Sequence, residues 1–171
     1  MEEELEKQPL YSVGITESSA LLRICGRASY LNCASLSEFF QKCNKTEIII
    51  DFKECLGMDS TFLGIIAGAS LEMQRIHKDS RLILVHLSER NLELIKNLGL
   101  HLICQVDLGK SDPYHGKSME ELEFETSKEA ASRLEILGTH ETLSSLNAKN
   151  AQTFKEVLIY LRQKAEDERP L

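Results

Sequence analysis

The sequence predicts an α/β fold, a mixed sheet of four to five strands with helices, followed by a helical C-terminal extension. Up to about residue 108, short apolar runs rich in β-branched residues alternate with segments of helical periodicity. Such alternation implies crossover connections between the strands of one sheet. Beyond a polar, turn-rich stretch the pattern is helical only.

These changes in pattern divide the chain of 171 residues into four segments. Residues 1–8 are predicted to be a flexible, charged N-terminus, and residues 9–108 the α/β domain. Residues 109–125 are predicted to be a linker, and residues 126–171 the helical extension. The length fits one domain with an appendage.

The predicted strands follow the apolar runs. A hairpin is expected from residues 10–16 and 20–25, closed by Gly26. Residues 47–52 form a continuous apolar run that suits a strand buried on both faces. Further strands are predicted at residues 82–85 and 102–106.

The predicted helices begin at polar residues that can cap them. Asn32 precedes a helix to about Cys43, and Ser88 precedes a short helix that stops at Gly99. Between them, residues 53–59 are predicted to be a loop and residues 60–77 a long helix.

The extension is predicted to contain three helices, at residues 127–137, 139–146 and 150–167. The last of them carries Phe154, Leu158 and Leu161 on one face, which we expect to be buried against the domain or a second copy. The extension could also cover the sheet or bind another partner.

Composition restricts the kinds of partner. The formal net charge is −7, and an acidic surface repels nucleic acids and anionic membranes. No apolar run approaches the roughly 20 residues that span a bilayer, and the acidic N-terminus is unlike a secretory signal. The five cysteines include no C-x-x-C pair, which fits reduced thiols in a cytoplasm. We therefore predict a cytoplasmic protein without membrane insertion and without a nucleic-acid partner.

The sequence lacks the common catalytic and cofactor motifs. A nucleophile elbow needs glycine two residues before and after the serine, but Met58 and Phe62 flank Ser60. There is no P-loop and no G-x-G-x-x-G motif, and none of the five histidines pairs at metal-binding spacing. The prediction is therefore a protein that is not an enzyme and needs no cofactor or metal.

The segment around Ser60 lies where a predicted loop meets a predicted helix. Helix N-termini present unpaired N–H groups and a partial positive charge, so a phosphate on Ser60 would lie in a favourable position. Phosphorylation would add about −1.5 to −2 charges in one step, beside the carboxylate of Asp59. The alternative is structural, because Asp and Ser are common helix caps and either residue could cap this helix.

The same segment carries a resemblance to a known family. Following the predicted central strand, it reads Asp59-Ser60-Thr61-Phe62-Leu63-Gly64. Together with residues 21–27, 48–52 and 91–100, it resembles the STAS family, most closely the bacterial anti-sigma factor antagonist branch. The resemblance covers residues 9 to 107 and places the family's phosphoacceptor on Ser60. Phe62 stands where the family usually has glycine.

The resemblance implies a partner switch that regulates transcription. The unphosphorylated protein would bind an anti-sigma factor that is also a serine kinase, so that a sigma factor is released. Phosphorylation of Ser60 from ATP would dissolve the complex, and a PP2C-type phosphatase would restore the serine. The partner-binding residues implied are Asp59, Thr61, Phe62, Ser29 and Tyr30.

Alternatives remain at the level of residues and of function. Phe62 could line the docking face or point into the core, and Tyr30 could be a surface contact or half-buried. The protein could instead be a non-catalytic STAS subunit of a lipid-transport or stressosome-type assembly, not controlled by phosphorylation. A ligand-binding domain or an enzyme of unknown type has little support in the sequence.

Overall fold

The computed structural model describes residues 10–109, 120–122 and 130–167. The predicted N-terminal segment 1–8, most of the predicted linker and the start of the first predicted extension helix lie outside these residues. Within the described part of the chain, six strands form one sheet: β1 Tyr11–Ile15, β2 Ser19–Ala28, β3 Glu47–Met58, β4 Arg81–Val85, β5 Gln105–Asp107 and β6 Glu120–Leu122.

The sheet is mixed, as predicted. Its strand order is β5-β4-β3-β2-β1-β6. β1 pairs antiparallel with both β2 and β6, whereas the β2–β3, β3–β4 and β4–β5 pairs are parallel. β6 is an addition from within the segment predicted as a linker. It pairs with the outer edge of β1, whose backbone groups would otherwise lack strand partners.

The described helices are α1 Ala34–Lys42, α2 Ser60–Ile76, α3 Glu89–Asn97, α4 Arg133–Leu146, α5 Ala148–Thr153 and α6 Lys155–Asp167. The prediction of a helical C-terminal part is confirmed. Its boundaries differ, because α4 runs through Gly138 where two helices were predicted, and the last predicted helix divides at Phe154. A Cβ at Gly138 would meet no atom within 4 Å, so no close contact requires glycine at this position of α4.

The largest difference from the sequence prediction lies at residues 53–58. They were predicted to be a loop, but β3 continues through them to Met58 because β2 also continues, to Ala28. The two strands stay paired through irregularities in register at residues 23–27, with Gly26 at a φ of 98°.

Two predicted boundaries also move. The helix expected after Asn32 begins at Ala34, and the Asn32 side chain instead accepts from Ser29 N and donates to Arg27 O. The strand expected at residues 102–106 begins later, because the chain turns at Gly99, with a φ of 78°, into a short 3₁₀ helix.

The core lies between one face of the sheet and the helices. Alternate residues of β2, β3 and β4 point into it, and the extension contributes to the same cluster. Leu143, Phe154 and Leu158 are buried there, so the expectation for Phe154 and Leu158 is confirmed, while Leu161 is only partly buried. The extension therefore packs as part of the domain.

Asn150 joins the extension to the domain by hydrogen bonds. Its Nδ2 donates to the carbonyl oxygens of Leu98, at 2.8 Å, and Leu143, at 2.9 Å. The side chain is buried. Asn147 caps α5 by accepting from Asn150 N at 2.8 Å. Asn150 thus connects the end of α3 to α4.

Replacing Asn150 with alanine should destabilise the protein by about 1–3 kcal/mol, since one buried and one partly buried carbonyl would lose their donor. Urea unfolding followed by circular dichroism measures the change. Thr153→Ala is the control, because its hydroxyl bonds to Lys149 O on the exposed side of α5, and we expect a change within about 0.5 kcal/mol. Equal losses in both variants would contradict the anchoring role.

Candidate functional site

The site forms at the carboxyl ends of β2 and β3. Ala28 and Met58 are the last paired residues of these parallel strands, and Asp59 N donates to Ala28 O at 3.1 Å. The loop after β2 and the first turn of α2 therefore leave the sheet side by side. This placement brings residues 29–32 next to residues 59–60.

Asp59 holds both segments through its carboxylate. Oδ1 accepts from Phe62 N at 2.9 Å, which caps α2, and Oδ2 accepts from Tyr30 N at 2.8 Å. Of the two capping candidates in the sequence, Asp59 is the one that caps the helix. Ser60 is left as the first helical residue, with its hydroxyl free to bond elsewhere.

The hydroxyl of Ser60 meets His140 of α4. Ser60 Oγ lies 3.0 Å from His140 Nε2, and His140 Nδ1 lies 2.8 Å from the carbonyl oxygen of Ile136. A carbonyl can only accept, so Nδ1 carries the proton that it donates to Ile136. In the neutral imidazole Nε2 is then an acceptor, and the Ser60 hydroxyl is the donor.

His140 is fixed in position by its surroundings. Its side chain is buried, and its ring packs edge-on against Phe154 at a centroid distance of 5.4 Å. The Ile136 carbonyl one turn earlier sets the ring orientation. Ser60 is half-buried, and on one side its hydroxyl lies against this buried histidine of the extension.

One turn beyond Ser60, α2 and α4 make a very close approach at Gly64. A Cβ on Gly64 would lie 2.6 Å from both Cβ and O of Thr139. At Gly68, a further turn along, a Cβ would lie 4.0 Å from Thr142 Cγ2, an ordinary contact distance. Residues 60, 64 and 68 share one face of α2, and α4 crosses this face.

Besides Asp59, four residues were predicted to bind a partner, and the structure separates them into two pairs. Tyr30 is 46% exposed, and Ser29 is half-buried beside it. Thr61 and Phe62 are buried at 3% and 0% exposure, and Phe62 packs edge-on against Phe52. In this arrangement the buried pair cannot contact a partner, because their positions on the first turn of α2 face the core. Phe62 is thus the core residue that the alternative interpretation describes.

The loop carrying Tyr30 also contacts the extension. The carbonyl oxygen of Tyr30 accepts from Ala131 N at 2.6 Å, just before α4 begins. The Ser132–Glu135 capping box then starts α4. The extension is therefore attached to the site at two places, the Tyr30 loop and Ser60.

Two titratable groups beneath the site are held neutral near pH 7. Burial, followed by the nearby carboxylates of Asp59 and Glu135, raises the pKa of the Cys33 thiol to about 11. Burial is also the main cause that raises the pKa of Tyr11 far above its usual range. Cys33 is thus a core residue without thiolate character at neutral pH.

His140 is a site residue that the sequence did not reveal. It is 80 positions from Ser60, and its spacing in the sequence matches no motif. One signal was present: small residues at 60, 64 and 68 are typical of a helix face that another helix approaches closely. This pattern could have predicted a helix packed over Ser60, though not which one.

In the described part of the chain, no three His, Cys, Asp or Glu side chains are grouped as metal ligands would be. None of the helices among the described residues has both the length and the apolar character needed to cross a membrane.

Comparison with known proteins gives a likeness of fold. No family model matches the chain, and neither does any curated protein sequence. A solved structure of the anti-sigma factor antagonist SpoIIAA in its unphosphorylated form is 17% identical with a TM-score of 0.45, covering 58% of this chain and 89% of that one. The Bacillus cell fate determinant SpoIIAA in the phosphorylated form is 20% identical with a TM-score of 0.45, covering 58% and 93%. Similarity at this level does not assign the chain to a family.

Removing the carboxylate in Asp59→Ala should destabilise the protein by about 1–2 kcal/mol, the usual cost of a lost helix cap. The Tyr30 loop should exchange its amide hydrogens faster as well, because Tyr30 N loses its acceptor. Chemical unfolding and amide exchange measure the two effects.

Asp59→Asn separates the two hydrogen bonds, because asparagine has a single acceptor oxygen. That oxygen can accept from Phe62 N and cap α2, but the amide nitrogen cannot accept from Tyr30 N. Asp59→Asn should therefore unfold at a denaturant concentration between those of Asp59→Ala and the unchanged protein, with faster amide exchange in the Tyr30 loop. Slow exchange in that loop, as in the unchanged protein, would contradict the role of Asp59 in holding it.

Proposed function

We propose that this protein is an anti-sigma factor antagonist that acts as a partner switch, with Ser60 as the phosphoacceptor. Its unphosphorylated form binds an anti-sigma factor that is also a serine kinase, and a sigma factor is released. Phosphorylation ends the complex, and a PP2C-type phosphatase resets it. The protein itself supplies a hydroxyl and a docking surface, and no catalysis.

The observation that carries this proposal is the position of the Ser60 hydroxyl. It lies on the first turn of a 17-residue helix whose cap is supplied by Asp59, so Ser60 is not itself needed as the cap. A phosphate on Ser60 would sit at the positive end of the helix dipole, where anions are stabilised. If Ser60 had been the cap, helix capping alone would have accounted for a serine at this position, and no switch function would have been needed to explain it.

Charge gives the switch its two states. Phosphorylation adds about −1.5 to −2 charges. The carboxylate of Asp59 is adjacent in the sequence, so a phosphate on Ser60 would add its charge to a site that is already negative. A partner surface complementary to a neutral hydroxyl would then be repelled.

Exposed apolar side chains around the site support a docking surface. Tyr30 and Leu31 are 46% and 56% exposed in the loop beside Ser60. Leu134 is 70% exposed and follows Ala131, whose N–H bonds to the Tyr30 carbonyl. Exposed apolar residues gathered near one site are typical of protein interaction surfaces.

The proposal includes a cytoplasmic location and a contact between two copies through the extension. On α6, Val157, Ile159 and Tyr160 are 41%, 44% and 58% exposed. We place the contact between copies on these residues of α6.

Incubation with the cognate kinase and ATP should place one phosphate on Ser60, detected by mass spectrometry. Ser60→Ala should stay bound to the kinase in the presence of ATP, and Ser60→Asp should bind weakly. Ser18→Ala is the matched control, because Ser18 is an exposed serine in the turn before β2, at the opposite end of that strand from Ser60, and its loss should leave phosphorylation intact. Absence of phosphate on Ser60 would contradict the proposal, and recovery of transporter or scaffold subunits in place of a kinase would favour the non-switching STAS subunit.

A further inference from the structure

The face of α2 that begins at Ser60 is already occupied by the protein's own α4. Nε2 of His140 lies 3.0 Å from the Ser60 hydroxyl oxygen, and the Thr139 backbone lies against Gly64. Both contacts come from consecutive residues of α4, and both fall on one face of α2. A kinase or partner approaching Ser60 from this side meets α4 first.

We infer that α4 is a built-in cover of Ser60, and that a phosphate on Ser60 releases α4 from α2. The inference rests on the proposed function, because it takes Ser60 as the phosphoacceptor. The covered form is then the resting state, and the phosphorylated form exposes the face of α2 at residues 60, 64 and 68.

The first reason is a hydrogen bond that phosphorylation removes. In the neutral imidazole the Ser60 hydroxyl donates its proton to Nε2, since Nδ1 of His140 donates to the Ile136 carbonyl. Phosphoserine has no hydroxyl proton at Oγ. The lone pair of Nε2 would then face an oxygen that can only accept, inside a partly buried contact.

The second reason is space. The ring of His140 is buried and is held by Ile136 O and by the edge-on contact with Phe154. It cannot swing aside to admit a phosphate unless α4 moves. Sliding α4 along α2 is also restricted, because the Gly64–Thr139 approach leaves no room for even one methyl group.

The third reason is that the packing around α4 is incomplete on one side. A groove of about 650 Å³ runs between α1, α2 and α4, lined by Phe40, Met73 and Thr142 among others. Packing is therefore absent along part of α4. The chain is held before α4 by the hydrogen bond from Ala131 to Tyr30, and beyond His140 by Leu143 and the Asn150 hydrogen bonds. Release can thus affect the first two turns of α4 while the chain on either side stays attached.

The direct test places phosphoserine at position 60 of the full chain during synthesis and follows amide hydrogen exchange. Exchange in α4 should become about 5- to 150-fold faster, the range typical of coupling between two sites. Amides of β3 and β4 should stay protected, which separates release of α4 from unfolding. Unchanged or slower exchange in α4 would overturn the inference, the latter showing that a charged His140 binds the phosphate.

A second variant reaches the same state without phosphate. Gly64→Ala places a methyl group 2.6 Å from the Thr139 backbone, so α4 should exchange faster as in the phosphoserine protein. Gly68→Ala makes the same change one turn along, where the nearest atom is 4.0 Å away, and α4 should stay protected. Equal protection of α4 in the two variants would overturn the close contact on which the inference depends.

These measurements need no kinase. Failure of α4 to respond to phosphoserine therefore contradicts the cover alone. Failure of any kinase to phosphorylate Ser60 in a protein whose α4 does respond contradicts the proposed function alone.

Discussion

The crossing of α2 and α4 at Gly64 is the constraint on which the rest of the site depends. Only a residue without a side chain allows the Thr139 backbone to come this close to α2. The approach brings His140 within hydrogen-bond distance of Ser60 and places Leu143 in the common core. A larger residue at 64 would move α4 outwards and separate all of these contacts together.

The Asp59 carboxylate gives the site its second constraint. One oxygen fixes the start of α2, and the other fixes the loop that presents Tyr30. That loop also forms a hydrogen bond with Ala131. The carboxyl ends of β2 and β3, the start of α2 and the extension therefore share one hydrogen-bond network. A change of charge at Ser60 therefore acts on a place where three parts of the molecule meet, which is a suitable position for a switch.

Sequence rules based on neighbouring residues correctly predicted the elements that local interactions determine. Periodicity found α2, and Ser88 caps α3 as expected. Residues 53–58 were missed because their strand depends on pairing with the end of β2, about thirty positions earlier in the chain. The Ser60–His140 contact was missed for the same physical reason: 80 residues separate the partners, and nothing near His140 in the sequence indicates where α4 packs. Phe62 shows the opposite case, in which its apolar character alone favoured the core.

The most direct measurement of the central claim is the state of the His140 ring in solution, read from its nitrogen resonances by NMR. Docking of α4 over Ser60 predicts a ring protonated at Nδ1, and an Nε2 resonance that shifts when Ser60→Ala removes its hydrogen-bond partner. A ring without a proton on Nδ1 would show that Ile136 does not orient His140, and an Nε2 resonance that is indifferent to Ser60→Ala would show that α4 does not cover the site.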